Sequence, residues 1–248
     1  MLETKSEMTV KTLNDLKGAG FLEKIKSVIP SSMDTNFPQK FITSFFFYLK
    51  KNSMVASCEV TSLARCLIES ASLGLMPSTT FGHIYLVPYG KEASLLIGYQ
   101  GLMELLLRDE EIALIEPRIV REGDEFKVAY GSESTIVHIP AFIKGAPITH
   151  VYAILRYKNG QSQFEVMTKD EIDKIKSLAK TDRFWGKWYE QMAIKTVIKK
   201  LAKYIRKSAI YGKALEIDNT ESDPAAGTRT FENTEDFLMD KLENENAN

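Results

Sequence analysis

Apolar positions in the first third of the chain recur at helical intervals. Residues 37–51 and 57–73 carry the i, i+3, i+4 spacing of amphipathic helices, and Gly74 with Pro77 supplies a stop. The period then shortens to two. Residues 83–89 and 93–98 flank a Gly90-Lys91-Glu92 turn as a hairpin, 100–108 return to helix, and 112–121, 125–130 and 135–139 predict short strands. A second hairpin joins 149–157 to 161–167, because Asn159-Gly160 is a favoured pair for a tight primed turn. Thr168 and Glu171 form a capping box for a helix to about residue 180, and a final long helix is expected over 185–207. Helices that bracket mostly antiparallel strands define an α+β class.

One predicted helix is apolar almost all round. Phe41, Ile42, Phe45, Phe46, Phe47, Tyr48 and Leu49 leave little polar face, so the segment is buried either in its own core or against another subunit. The self-association reading makes Phe41, Phe45, Phe46 and Phe47 the interface candidates.

Composition is that of an ordinary globular chain: 248 residues, 44% hydrophobic and 26% charged, enough to bury a core without staples. Cys58 and Cys66 lie eight positions apart in a helical segment, roughly 12 Å along the axis, too far to bridge. Residues 1–10 are polar with no apolar run behind them, and the densest apolar stretch is far shorter than the roughly 20 residues of a spanning helix, so a cytoplasmic protein is expected.

The net charge of −1 hides a segregation. Residues 214–248 hold ten acids against Arg229 and Lys241, which leaves +7 on residues 1–213, and between Gln191 and Leu215 seven Lys or Arg stand with no acid. A basic body tied to an acidic tail is a common nucleic-acid-binding pattern. On the predicted last helix, Ile194, Val197, Ile198, Leu201 and Ile205 fall within about 100° of arc, with Lys195, Lys199, Lys200, Lys203, Arg206 and Lys207 opposite. Like charges without neighbouring acids repel unless an anion lies across them, so these six are candidates for phosphate contacts of a sequence-neutral, salt-dependent kind. The tail from Asp218 onward reads as disordered, with Phe231, Phe237, Leu238 and Leu242 as anchors for a partner.

Tyr85, Val87 and Tyr89 alternate onto one hairpin face, Tyr99 ends the partner strand, and Trp185, Trp188 and Tyr189 precede the basic helix, so aromatics for base stacking are available near the cations. An enzyme alternative, a metal nuclease using His83, His138, His150 and Asp124, lacks HExxH, CxxC and paired His on a helix face. The chain has no GxxxxGK[ST] loop for an ATP-driven machine. A sequence-neutral RNA chaperone using the same basic surface is the remaining alternative, since only contacts to the 2′-OH separate the two.

The runs GLMPSTTFGHIYLVPYG (74–90), LLIGYQGLMELLLR (95–108), RIVREGDEF (118–126), THVYAILRYKNGQSQFEVMT (149–168) and WYEQMAIKTVIKKLAKYI (188–205), in this order, resemble the RecT family of bacteriophage and prophage single-strand annealing recombinases over about residues 21–213. The resemblance implies an ATP-independent protein that coats single-stranded DNA, anneals complementary strands, promotes strand invasion and assembles into rings or helical filaments. It implies no required cofactor, with Mg²⁺ left open as a modulator. The partners implied are single-stranded DNA and the annealed duplex, further copies of the chain and a phage 5′-to-3′ exonuclease. The host single-strand-binding protein is a candidate for the acidic tail. The fold implied is a curved, mostly antiparallel sheet with flanking helices and a long C-terminal basic helix, residues 1–213 forming the annealing and oligomerisation domain and 214–248 the tail. Tyr99, Gln100 and Arg108 are expected to line the DNA groove, with Arg118, Arg121 and Lys127 as a second set. The chain departs from the family at Asp109-Glu110-Glu111, where relatives carry a Ser-Gly turn, and at Ile205-Arg206-Lys207 in place of a proline, so the basic helix is expected to run on.

Overall fold

The computed structural model describes residues 16, 18–77, 81–179, 183–205 and 209–222. They belong to two compact units, one made of residues up to Gly101 together with the chain from Gly212, the other of Leu102–Tyr211. The class is α+β, with every strand pair antiparallel. The strands form three small sheets. The boundary expected at residues 213/214 falls inside a helix, because α9 (Ala209–Ser222) runs on to Ser222 with Ala214, Ile217 and Asp218 buried. Residues 223–248, with most of the acidic tail, lie outside the described residues. No helix among the described residues is long and apolar enough to cross a membrane.

The first unit packs α1 (Ala19–Val28), α2 (Phe37–Lys51), α3 (Ser53–Ala56) and α4 (Val60–Leu73) with the hairpin β1 (Ile84–Tyr89) and β2 (Glu92–Ile97). The single helix predicted over 57–73 is preceded by the short α3, and Gly74 closes α4 at φ +61°. α4 lies on β2. The Ser62 hydroxyl accepts from Ala93 N at 2.9 Å, and the Arg65 guanidinium donates to Ala93 O at 3.3 Å. The core holds Phe41, Phe45, Leu63, Leu67, Ile84 and Leu95. Cys58 and Cys66 are buried free thiols.

The second unit is built on β3 (Ile112–Arg121), β6 (Ile148–Tyr157) and β7 (Ser162–Thr168), in the order β3-β6-β7. The register puts Ile115, Leu155 and Gln163 on one face with Pro117, Ala153 and Glu165, and Ile119, Val151 and Met167. α8 (Tyr189–Leu201) covers that face with Ala193, Val197, Ile198 and Leu201 buried. The opposite face carries Arg118, Tyr152 and Val166 in one row and Glu116, Ile154 and Phe164 in the next. The hairpin β4 (Glu125–Ala129) and β5 (Thr135–Ile139) sends Phe126 onto this face, stacked on Tyr152 at 5.7 Å. α5 (Tyr99–Leu107) carries the chain from one unit into the other, and α6 (Lys169–Ser177) starts on the expected Thr168/Glu171 capping box.

The long terminal helix expected over 185–207 is broken. α7 (Arg183–Lys187) ends at Trp188, whose φ −128° and ψ 43° are not helical, and α8 stops at Leu201. Residues 202–205 continue as turns, so the helix does not run on.

Close backbone contact in the IGYQG block yields a test. A Cβ at Gly98 would stand 2.0 Å from the Gly82 carbonyl oxygen, whereas one at helical Gly212 would meet nothing within 4 Å. Gly98→Ala is expected to destabilise the fold by about 1–3 kcal/mol. Gly212→Ala is expected to stabilise it by about 0.5–1 kcal/mol. Denaturant unfolding of both variants checks the opposite signs.

Candidate nucleic-acid interface

The open face of the β3-β6-β7 sheet borders a cleft of about 880 Å³ within the second unit, lined among others by Arg118, Arg121, Lys144, His138, Tyr152 and Phe142. Arg118 projects from β3 and is exposed; its nearest acid, Glu116, lies 3.5 Å away and is shared with Arg156 across the sheet. Arg121 sits where the β3/β6 register shifts, a place where a strand can re-aim its side chains. Its Nη1 donates to Ala146 O at 3.0 Å and its Nη2 to Glu190 Oε1 at 2.6 Å. Lys144 is exposed on the loop between β5 and β6 and makes no ion pair among the described residues.

The cleft wall is fixed by one carboxylate. Asp124 accepts from the backbone N–H of Arg121 and of Ala141, each at 2.8 Å, and lies 3.0 Å from His138 Nε2, while His138 Nδ1 lies 3.1 Å from the Tyr152 hydroxyl. Asp124 thus ties its own turn, the incoming loop and β5 together. The two backbone donors, then His138, pull its carboxyl down to about 2. The loop it secures carries Phe142 at φ +55°, a left-handed conformation rare for a bulky residue, with the residue 89% exposed. The rim therefore offers an open aromatic face beside three cations.

A neighbouring cleft of about 720 Å³ is lined by Pro147, Ile148, Lys169, Lys176, Asp173 and Tyr189 among others. Here the Tyr189 hydroxyl donates to Asp173 at 2.7 Å, Lys169 pairs with the same carboxylate, and burial with that bond pushes the phenol well above its ordinary range.

The six expected helix cations do not form one open row. Lys195 is only 6% exposed, on the packed side of α8. Lys200 is held by Glu165 at 2.8 Å and Glu171 at 3.5 Å. Those carboxylates come from β7 and α6, so the absence of acids between Gln191 and Leu215 did not mean absence of acids in space. Lys199 is half-buried, and Lys203 is exposed in the turn after α8 with no ion pair among the described residues. Arg206 and Lys207 lie outside the described residues.

Arg108, with Glu104 at 3.5 Å, is mostly buried, and burial draws its pKa below the ordinary guanidinium value against the opposing Glu104 charge. Lys127 pairs with Glu125 at 2.7 Å on the exposed face of its hairpin. Tyr99 and Gln100 open α5 in the first unit, Tyr99 half-buried and Gln100 exposed.

Of the phenylalanines expected at a subunit interface, Phe41 and Phe45 are fully buried within the chain, which removes them from any surface. Phe46 is half-buried, and Phe47 is exposed with the Lys51 ammonium 4.4 Å from its ring centre. Trp185 is likewise core, whereas Trp188 is exposed. Sequence reasoning passed over Lys144, Phe142 and Glu190. The available signal was the segment PAFIKGAP (140–147), where a turn-rich loop spends Phe and Ile that no strand or helix uses. The histidines do not gather: among the described residues, no group of three His, Cys, Asp or Glu could hold a metal ion.

The depressed Asp124 carboxyl fixes the sign of a pH effect. Its stabilising contribution is present above the ordinary value of 3.8 and is lost as pH falls through about 2. Asp124→Asn is therefore expected to lower stability at neutral pH and to flatten the loss of stability between about pH 4 and 2. Unfolding free energy measured against pH for both proteins checks this.

Residues 39–233 match the sequence profile of the RecT family. The chain is 35% identical over 216 residues to Protein RecT of Escherichia coli K12, covering 82% of this chain and 79% of that protein. It is also 26% identical over 161 residues to the uncharacterized protein YqaK of Bacillus subtilis, covering 64% and 56% respectively. With five ordered sequence blocks, an α+β fold and a basic cleft on its central sheet, this chain belongs to the RecT family, single-strand DNA annealing proteins of phage-type recombination.

Proposed function

We propose that the chain grips single-stranded DNA by its phosphates along the cleft of the second unit and presents the bases for pairing with a complementary strand. The observation that carries this reading is the convergence of Arg118, Arg121 and Lys144 on one cleft that borders the β3-β6-β7 sheet and reaches Glu190 at the start of α8. Cations that meet phosphates supply affinity without sequence preference, and the exposed Phe142 ring offers a stacking platform indifferent to base identity. Annealing needs no nucleotide hydrolysis, because base pairing itself releases the free energy; the protein works without a required cofactor, and Mg²⁺ would act only as a modulator. Lys199 in the last turn of α8 and Lys203 in the turn after it form, with Arg206 and Lys207, a second phosphate-contacting set, and Tyr99 and Gln100 a separate contact on the first unit. Lys195 and Lys200, by burial and pairing, serve the fold instead.

The protein acts as an oligomer, a ring or helical filament in the bacterial cytosol, with Phe46 and Phe47 left to contribute to contacts between copies. It works beside a 5′-to-3′ exonuclease that exposes the strand, and the acidic residues 223–248 offer a docking segment to that enzyme or to the host single-strand-binding protein.

Arg118→Glu with Lys144→Glu is expected to weaken binding to an oligodeoxynucleotide at least tenfold and to slow nucleotide-free annealing in step. It should also reduce the slope of log affinity against log salt by about 1.4, two contacts at roughly 0.7 each. Fluorescence anisotropy over a salt series and strand-annealing kinetics measure these effects; unchanged binding would remove the cleft from the interface. Preference for a matched RNA over DNA in the same assay would favour the chaperone alternative.

A further inference from the structure

Arg121 is held from two sides by partners of different kinds. Its Nη1 bonds the backbone carbonyl of Ala146, a fixed element of the loop entering β6, and its Nη2 bonds Glu190, a side chain on the first turn of α8. Both Arg121 and Glu190 line the 880 Å³ cleft. Their side chains are 36% and 46% exposed, so water already reaches the pair. Ion pairs of that exposure are weak and exchange readily. Two charged contacts of this unit are more closed, Glu165 on Lys200 at 14% and Asp124 with His138 at 6% and 8% exposed, whereas Lys127–Glu125 and Lys169–Asp173 are as open but line no part of this cleft.

We propose that Glu190 is an exchangeable occupant of the phosphate position at Arg121. On this reading, which rests on the cleft being the DNA interface, a phosphodiester oxygen displaces the Glu190 carboxylate from Nη2. Ala146 keeps the guanidinium in place throughout. A carboxylate and a phosphate offer the guanidinium the same acceptor geometry, so one can replace the other without Arg121 moving. The displaced Glu190 turns to solvent at the start of a helix, where the aligned peptide dipoles still favour its negative charge.

Glu190 therefore sets how tightly and how reversibly the cleft holds a strand. A phosphate arriving at Arg121 removes an anion belonging to the protein, so affinity at this position is lower than at a bare arginine. Release is eased by the same carboxylate returning. Such a device suits a protein that must hold a strand and also let it slide into register with its complement.

The test uses the full chain with Glu190→Gln, Glu190→Ala, Arg121→Gln and the Arg121→Gln/Glu190→Gln double variant, an oligodeoxythymidine as probe, and thermal unfolding to establish that each protein is folded. Both Glu190 variants are expected to tighten binding about threefold to tenfold at low salt and to steepen the salt slope by up to about 0.7. Arg121→Gln should weaken binding and abolish the gain in the double variant, the signature of direct coupling. If Arg121→Gln weakens binding but neither Glu190 variant tightens it, the exchange is overturned while the cleft stands. If the gain survives in the double variant, it is a general charge effect and the exchange is again overturned. If Arg121→Gln changes nothing, the cleft reading itself falls, and the exchange with it.

Discussion

The packing of α8 across one face of the β3-β6-β7 sheet is the constraint on which the second unit depends. Val197, Ile198 and Leu201 each contribute about 1.5–3 kcal/mol through burial, and the facing Val151, Ala153, Leu155 and Met167 lose their water in the same contact. Because side chains alternate along a strand, sealing one face commits Arg118, Tyr152 and Ile154 to the other. The Phe126–Tyr152 stack and the Asp124–His138–Tyr152 chain then close part of that second face, and the remainder is the cleft. The candidate site is thus a by-product of where the core had to be.

Electrostatics follows the same logic. The chain keeps nearly equal numbers of acids and bases, and the fold uses many of the acids to hold cations in place. Glu165 and Glu171 anchor Lys200, Glu104 stands by Arg108, and Glu190 meets Arg121. Surface pairs of this kind add little to stability. Their larger consequence is to grade the cations: some become structural, some remain open to an external anion, and Arg121 stands between.

How much of this was legible in the sequence depended on how local the cause was. The Asn159-Gly160 hairpin, the Thr168/Glu171 capping box and the Gly74 helix stop are set by a few neighbouring residues, and each stands where the pattern put it. The terminal helix was not legible to its end, since nothing in its apolar spacing marks the break at Trp188 or the stop at Leu201. Lys195 looked like a member of a cationic face because a helical projection does not know how much of the helix its neighbours cover. Lys200 looked unpaired because its acids lie on other elements, 29 residues away in the case of Glu171. For Phe41 and Phe45 core is the simpler reading and interface the sharper one, and their burial in the folded chain places them in the core. The family blocks, in contrast, were legible at once, because order and spacing over some two hundred residues are not matched by chance.

The central claim is that phosphates of a bound strand lie against Arg118, Arg121 and Lys144 in the cleft of the second unit. A cryo-electron microscopy reconstruction of the protein with complementary oligonucleotides tests it most directly. The account predicts sugar-phosphate density running through this cleft, within hydrogen-bonding distance of those three side chains. Density that bypasses the cleft, with all three cations left facing solvent, would contradict it.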